Sequence, residues 1–214
     1  NYKKFELIVI DNSSTDNTEK IINSYKNSID INLFKIKNNG IISKSRNKGI
    51  IESKGNIICF LDSDDYWNET KLYRINQLFN ENIFDICCHN ELGIDINGHE
   101  FKKYFHGFKS KNFYNDLLIL GNCLSTSAVS IRKEFIINNK FYFSENINFI
   151  TAEDYDFWLN FAKFDAKFLF INEFLGFYQF LEKSSSNKNI DIHLRNVNNV
   201  IENHLNNLSN KNII

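Results

Sequence analysis

The sequence predicts an α/β domain with a mostly parallel sheet flanked by helices, and three observations carry that reading. Short apolar runs alternate with helical patterns through residues 1–90. Strands joined by crossover helices pair in parallel, with right-handed crossovers. The run Ile57-Ile58-Cys59-Phe60-Leu61 is apolar throughout, as in a strand buried on both faces. Polar loops then close at least two strands on one edge, one beginning at Asp11 and another at Asp62. Open α/β sheets bind their ligands outside that edge.

Taken in order, residues 5–10 read as an apolar strand and residues 11–16 as a turn. Asp16 and Glu19 resemble a capping box opening a helix that ends near Tyr25. A second strand covers 31–36, and Asn38-Asn39-Gly40 breaks it. A helix over 43–53 stops at Lys54-Gly55, the 57–61 strand follows, and a helix over 69–80 leads to a strand over 84–89. Residues 91–112, polar and aromatic, read as a loop or small hairpin. Residues 113–120 form a helix and 125–131 a strand. The 151–164 segment is a helix with Tyr155, Trp158, Leu159 and Ala162 at core spacing, and Trp158 is expected in the core. A short strand covers 167–171. Ser184 to Asn189 is a flexible break. Ile192, Val197, Ile201, Leu205 and Leu208 then form one stripe of a terminal helix that docks on the domain.

Composition narrows the function classes. In 214 residues, 43% hydrophobic and 24% charged content is that of a soluble globular protein. A net charge of -1 gives no footprint for nucleic acid. No apolar run approaches a membrane span and no signal-peptide pattern opens the chain. Cys59, Cys87, Cys88 and Cys123 form no Cys-x-x-Cys pair and are expected as buried reduced thiols of a cytosolic protein. His99 and His106 are expected to be exposed. The chain has neither Met nor Pro. The missing initiator, with a strand starting at Phe5, leads to the expectation that an N-terminal segment is absent.

The chemistry concentrates in two acidic clusters. Asp62-Ser63-Asp64-Asp65 follows the buried strand. Clustered carboxylates repel unless a cation sits among them, so one reading is a divalent metal site that handles a phosphorylated ligand. The other is a solvated turn whose acids cap the next helix. Glu153-Asp154-Tyr155-Asp156 opens a helix with Thr151 as its expected N-cap. The helix dipole suits carboxylates there and favours the ionised form that a general base needs.

Five segments, in order, resemble family 2 glycosyltransferases of the GT-A fold. Phe5 through Asp16 resembles the nucleotide-binding loop, and Ser45-Arg46-Asn47-Lys48-Gly49-Ile50 the helix motif. Gly55 through Asp65 is similar to the metal-binding DxD segment. Asn122 to Arg132 resembles the strand before the acceptor region, and Glu153 through Leu159 the catalytic "ED" helix. The resemblance extends from residue 1 to about 180.

It implies an inverting transfer from a nucleotide-sugar donor, UDP-linked by expectation, to a glycan or lipid-linked acceptor in bacterial surface polysaccharide synthesis. Mn²⁺ or Mg²⁺ would neutralise the departing diphosphate. Asp64 would be the direct metal ligand, and Asp62 would support the metal or contact the ribose. Asp65 would support that set or cap a helix, and Ser63 would lie along the donor. Asp11 and Asn12 would sit by base and ribose, and Arg46 near the nucleotide. Asp154 would be the base, and Glu153 would position acceptor or metal. The implied organisation is a donor-binding half over 1–90, an acceptor and catalytic half over 91–185, and a C-terminal helix over 186–214. The implied place is the cytoplasm, with peripheral contact at the inner face of the membrane and no nucleic-acid partner.

Two departures stand out. Asn12 occupies a position where many members carry Asp, and Tyr178-Gln179-Phe180-Leu181 lacks the Arg and His of the family's Tyr-Arg-x-His. The family also begins with a strand and a Tyr-Asn loop that this chain does not show. Two other classes stay open at this point: a non-catalytic assembly module, and a sugar-nucleotide-forming nucleotidyltransferase, whose Gly-rich phosphate loop is not visible.

Overall fold

The computed structural model describes residues 2–180 and 189–209. Strand β1 (Glu6–Asp11) pairs in parallel with β2 (Asp30–Lys35), and helix α1 (Thr18–Tyr25) makes the crossover. Helix α2 (Ile42–Glu52) follows, then β3 (Ile57–Cys59), the short β4 (Tyr66–Trp67) and α3 (Lys71–Glu81). Strand β5 (Ile86–Ile94), β6 (Glu100–Tyr104), α4 (Phe113–Leu120), β7 (Val129–Arg132) and α5 (Lys133–Asn139) lead to α6 (Glu153–Lys163). Strand β8 (Phe168–Gln179) and α7 (Ile190–Ser209) close the described chain.

The class is α/β, as expected, but the sheet is mixed. The larger sheet runs β3-β7-β5-β8-β4, with β6 added on β5. Only β1–β2 and β5–β8 are parallel among the described pairs. The departure has a geometric cause. Strands β5 and β6 are joined by a tight turn at Asp95–His99, and so short a connection allows only antiparallel pairing. Strand β7 enters from a 3-10 turn at Thr126–Ala128 and runs back between β3 and β5.

The main core lies between this sheet and α6. Helix α6 buries Tyr155, Phe157, Trp158, Leu159, Phe161 and Ala162. Phe143 stacks on Phe157 at 4.0 Å and meets Phe60 edge-on at 5.4 Å. Each such side chain, fully buried, contributes about 1.5–3 kcal/mol, so α6 is a fixed element. A smaller cluster forms where Ile75, Leu78 and Phe79 of α3 meet Phe84 and Cys87.

Several local expectations are corrected. Thr151 is not the N-cap of α6: Ala152 takes that place without a side-chain cap, and Thr151 sits at φ 72° with its hydroxyl on His193 Nδ1 at 3.1 Å. The Asp16–Glu19 capping box does not form. Asp16 binds Thr18, and Glu19 instead pairs with Lys35 at 2.6 Å, because β2 brings that lysine alongside. Strands β5 and β8 run longer than expected, since each supplies the other with a partner edge.

On α7 Val197 and Ile201 of the expected stripe pack against the main core beside buried Val200, whereas Ile192 and Leu205 are exposed. Buried polar residues share that face: Asn196 Nδ2 donates to Ile150 O at 2.6 Å, and His204 Nε2 lies 3.0 Å from Asp156 Oδ1. The Leu208 side chain and residues 184–188 of the expected break lie outside the described residues. All four cysteines are free. Cys87 and Cys88 are buried while Cys59 and Cys123 are half-buried, and burial pushes the Cys87 thiol up to about 12. His99 is exposed as expected. His106 is not, because its ring turns in to pair with buried Glu91 at 2.9 Å.

Candidate active site

The first loop is built at the ends of β1 and β2. Asp11 is buried, and the two hydrogen bonds from Ser14 hold its carboxyl below the usual carboxylate range. Asn12 is exposed, and its Oδ1 accepts Asn38 N–H at 2.9 Å. Asn38 Nδ2 in turn donates to Ser45 Oγ at 3.0 Å. These amide bridges fix the loop against the first turn of α2.

The acidic loop follows β3. Its backbone is pinned by Asp62 N–H to Ser127 Oγ at 3.0 Å and by Asp65 N–H to Asp62 O at 3.1 Å. Asp65 is buried, accepts Gln179 N–H at 3.1 Å, and has its carboxyl raised by that burial to about 7. It therefore ties the end of β8 to the loop. Ser63 is exposed at the tip. Asp64 is half-exposed, and no described residue donates a hydrogen bond to it.

Arg46, on α2, joins this loop to α6. Its Nη1 meets Glu153 Oε1 at 2.7 Å, and its Nη2 meets Asp62 Oδ1 at 3.0 Å. Its guanidinium also lies 5.2 Å from the centre of the Phe143 ring. The side chains of Arg46 and Glu153 are only 11% and 7% exposed, so the bridge sits largely out of water.

Asp154 points differently from its neighbours. It is half-exposed and accepts Asn122 Nδ2 at 3.3 Å. Burial, then the adjacent Glu153 charge, raise its carboxyl to about 7, with Arg46 opposing. Desolvation and the Glu153 charge here oppose the preference of a helix start for an ionised acid. Asp156 turns away and binds His204 and Asn160. The cluster accordingly offers one carboxyl poised near neutrality beside a fixed cation and a second acidic loop.

The donor set near Asp64 fits a hard divalent cation. It supplies carboxylate oxygens alone, with Asp64 open and both Asp62 oxygens accepting from Arg46 Nη2, at 3.0 and 3.2 Å. Among the described residues no group of three His, Cys, Asp or Glu could cage a metal alone. Mg²⁺ is typically held by one or two carboxylates completed by substrate phosphates, which matches this set.

Asp62, Arg46, Glu153 and Asp154 thus converge, whereas Asp11 and Asn12 connect to them only through Asn38, Ser45 and α2. Sequence reasoning marked the segments holding Asn122, Ser127 and Gln179 but gave these neutral residues no role, since the role comes only from where the backbone carries them. It also missed a buried polar layer. Lys71 Nζ donates to Ser127 O at 2.7 Å and lies 3.8 Å from the Trp67 ring centre, and burial lowers its ammonium to about 8. His89 and Glu91 are buried nearby, each with one unpartnered polar atom.

Comparison with known proteins agrees with this geometry. Residues 1–138 match the model of Glycosyl transferase family 2. The chain is 33% identical over 166 residues to Escherichia coli WfaP, a UDP-Glc:alpha-D-GlcNAc-diphosphoundecaprenol beta-1,3-glucosyltransferase, covering 74% of this chain and 59% of that protein. It is 27% identical over 152 residues to Staphylococcus aureus TarS, a poly(ribitol-phosphate) beta-N-acetylglucosaminyltransferase, covering 71% of this chain and 26% of that one. The chain therefore spans less than two thirds of the length of either. The crystal structure of S. aureus TarS in complex with UDP shares the fold, with TM-score 0.67 and 23% identity over 84% of this chain and 52% of that chain. The GT-A type α/β architecture is thus the one found, and the chain belongs to glycosyltransferase family 2.

Proposed function

We propose that this chain carries the donor-binding and catalytic centre of an inverting glycosyltransferase. Its donor would be a nucleoside-diphosphate sugar, UDP-linked, and its acceptor a hydroxyl of a glycan or lipid-linked sugar in bacterial surface polysaccharide synthesis. TarS is known with UDP and with UDP-GlcNAc bound, and WfaP acts on a diphosphoundecaprenol-linked acceptor. These support the donor and acceptor classes. The observation that carries the reading is half-exposed Asp154, bonded to Asn122, on a helix that Arg46 clamps to the Asp62 loop.

A carboxyl near neutrality is suited to general-base work at physiological pH. Asp154 takes the proton of the acceptor hydroxyl as that oxygen bonds the anomeric carbon. The bond to the diphosphate oxygen breaks on the opposite face, and the nucleoside diphosphate leaves with the electron pair. One displacement inverts the centre, as in inverting glycoside hydrolysis with water replaced by a sugar hydroxyl. Asp64, with Asp62 beside it, would hold Mn²⁺ or Mg²⁺, which when bound supplies charge neutralisation on the leaving diphosphate. Glu153 positions Arg46, and Asp11, Asn12 and Ser63 line the nucleotide side. A lipid-linked acceptor places the work at the cytoplasmic face of the membrane.

Calorimetric titration of UDP, with and without Mn²⁺, tests the donor site. Mn²⁺-dependent binding that disappears in Asp64→Ala and persists in Asp154→Asn is the expected result. Absence of Mn²⁺-dependent affinity in the folded chain would return the binding-module reading.

A further inference from the structure

We infer that α7 positions the candidate catalytic carboxylate: Asn196 and His193 hold Thr151 in a strained backbone conformation and so set where Asp154 stands. Thr151 lies at φ 72° and is the only β-branched residue at positive φ among the described residues. For such a side chain that conformation is a genuine outlier. Glycine or asparagine would take it at little cost. Strain of this kind persists only where the surroundings over-determine it. Here it falls immediately before Ala152, the N-cap of the helix that carries Asp154 in its first turn.

Side chains of α7 supply those surroundings. Asn196, buried, donates from Nδ2 to Ile150 O at 2.6 Å, and His193 Nδ1 lies 3.1 Å from the Thr151 hydroxyl. Asn199 Nδ2 donates to Asn148 O at 3.2 Å, and His204 Nε2 meets Asp156 Oδ1 at 3.0 Å. These contacts all land on the stretch from Asn148 to Asp156. Docking of an apolar helix face accounts for Val197, Val200 and Ile201 against the core. It accounts neither for polar side chains gathered on that stretch nor for a threonine kept at φ 72°. Asp154 depends on the same stretch. Its carboxyl accepts from Asn122 Nδ2 at 3.3 Å and from the Tyr155 N–H at 2.7 Å. The second bond lies within its own helix turn, so the carboxyl reaches Asn122 only where the start of α6 carries it.

The consequence for transfer rests on Asp154 being the base proposed above. The test uses neither donor nor acceptor, so the two readings fail separately. The Asp154 carboxyl carbon, identified by its loss in Asp154→Asn, is titrated by carbon-13 NMR in the folded chain. In wild type, burial raises this carboxyl to about 7. Asn196→Leu removes the donor and keeps much of the volume. Thr151 then relaxes, the start of α6 shifts, and the midpoint falls towards 3.8 by about one pH unit or more, a tenfold or greater loss of proton affinity. Thr151→Gly takes the same φ without strain and keeps the wild-type midpoint. Asn196→Leu/Thr151→Gly recovers most of the shift, because glycine stays in that conformation unstrained. A helix that merely docks would lose stability in Asn196→Leu with the midpoint unmoved. If Asn196→Leu does not fold, His193→Ala, which frees only the threonine hydroxyl, is read in its place with the same expectations. The inference is overturned by an unmoved midpoint in that variant, by a fall in Thr151→Gly alone, by a double mutant no higher than its parent, or by a wild-type midpoint near 3.8.

Discussion

Arg46→Met tests whether the bridge between the acidic loop and α6 holds the site together. The substitution keeps much of the side-chain volume and removes the guanidinium that lies 2.7 Å from Glu153 and 3.0 Å from Asp62. Glu153 is then a carboxylate of 7% exposure with no cation. Removing one partner of a buried pair typically costs about 3–5 kcal/mol, because the other charge stays desolvated. For a chain of this size that is a fall in Tm of roughly 6–20 °C, read by thermal denaturation followed by circular dichroism. The diagnostic variant is Arg46→Met/Glu153→Gln. If the loss in the single mutant is a stranded charge, removing that charge restores most of it, and the double mutant lies within about 1–2 kcal/mol of wild type. A double mutant as unstable as Arg46→Met, or a single mutant as stable as wild type, would refute the reasoning.

Three further outcomes follow from particular contacts. Because the Asp154 carboxyl is raised to about 7, transfer that needs it ionised should fall about tenfold per pH unit below that value and level off above it. Its sign in stability is opposite: the contribution is present below the ordinary value of 3.8 and is lost as pH rises through about 7. Asp154→Asn should flatten both profiles. Gly107 sits at φ 75° with the Phe170 ring 2.0 Å from where a Cβ would lie. Gly107→Ala should therefore destabilise by about 2–4 kcal/mol in urea denaturation, combining backbone strain with overpacking. His204→Ala leaves Asp156 and Tyr114 without their ring partner inside the α6–α7 contact. A loss of about 2–4 kcal/mol and faster proteolysis within α7 are expected.

The parts of this molecule that can be read from the chain are those where one residue type has few other reasons to be present. Acids closing an apolar strand or opening a helix stand out, which is why Asp62, Asp64 and Glu153-Asp154 were recognisable, and α6 was legible from its apolar spacing. The pairing direction of β7 was not, since Val129–Arg132 reads alike in either orientation and only the chain path through Thr126–Ala128 decides it. Helix α5 hid because Phe135-Ile136-Ile137 is as apolar as a strand. The surroundings of Asp154 are hidden for a related reason. A helix start is visible in sequence, but the desolvation that opposes its dipole depends on what the rest of the fold packs around that turn.

Strand β5 also sets an order of events during synthesis. It is almost wholly buried, and beyond Cys88 its two neighbours are β6 on one side and β8 on the other. Strand β6 follows within a few residues, but β8 ends roughly 85 positions later. At about 5–20 residues per second on a ribosome, the second edge of β5 waits on the order of 4–17 s for its partner. Throughout that interval a strand with unpaired amides is available to any other nascent chain. The yield of this protein in a cell should therefore depend on translation speed and chaperone supply more than on its final stability.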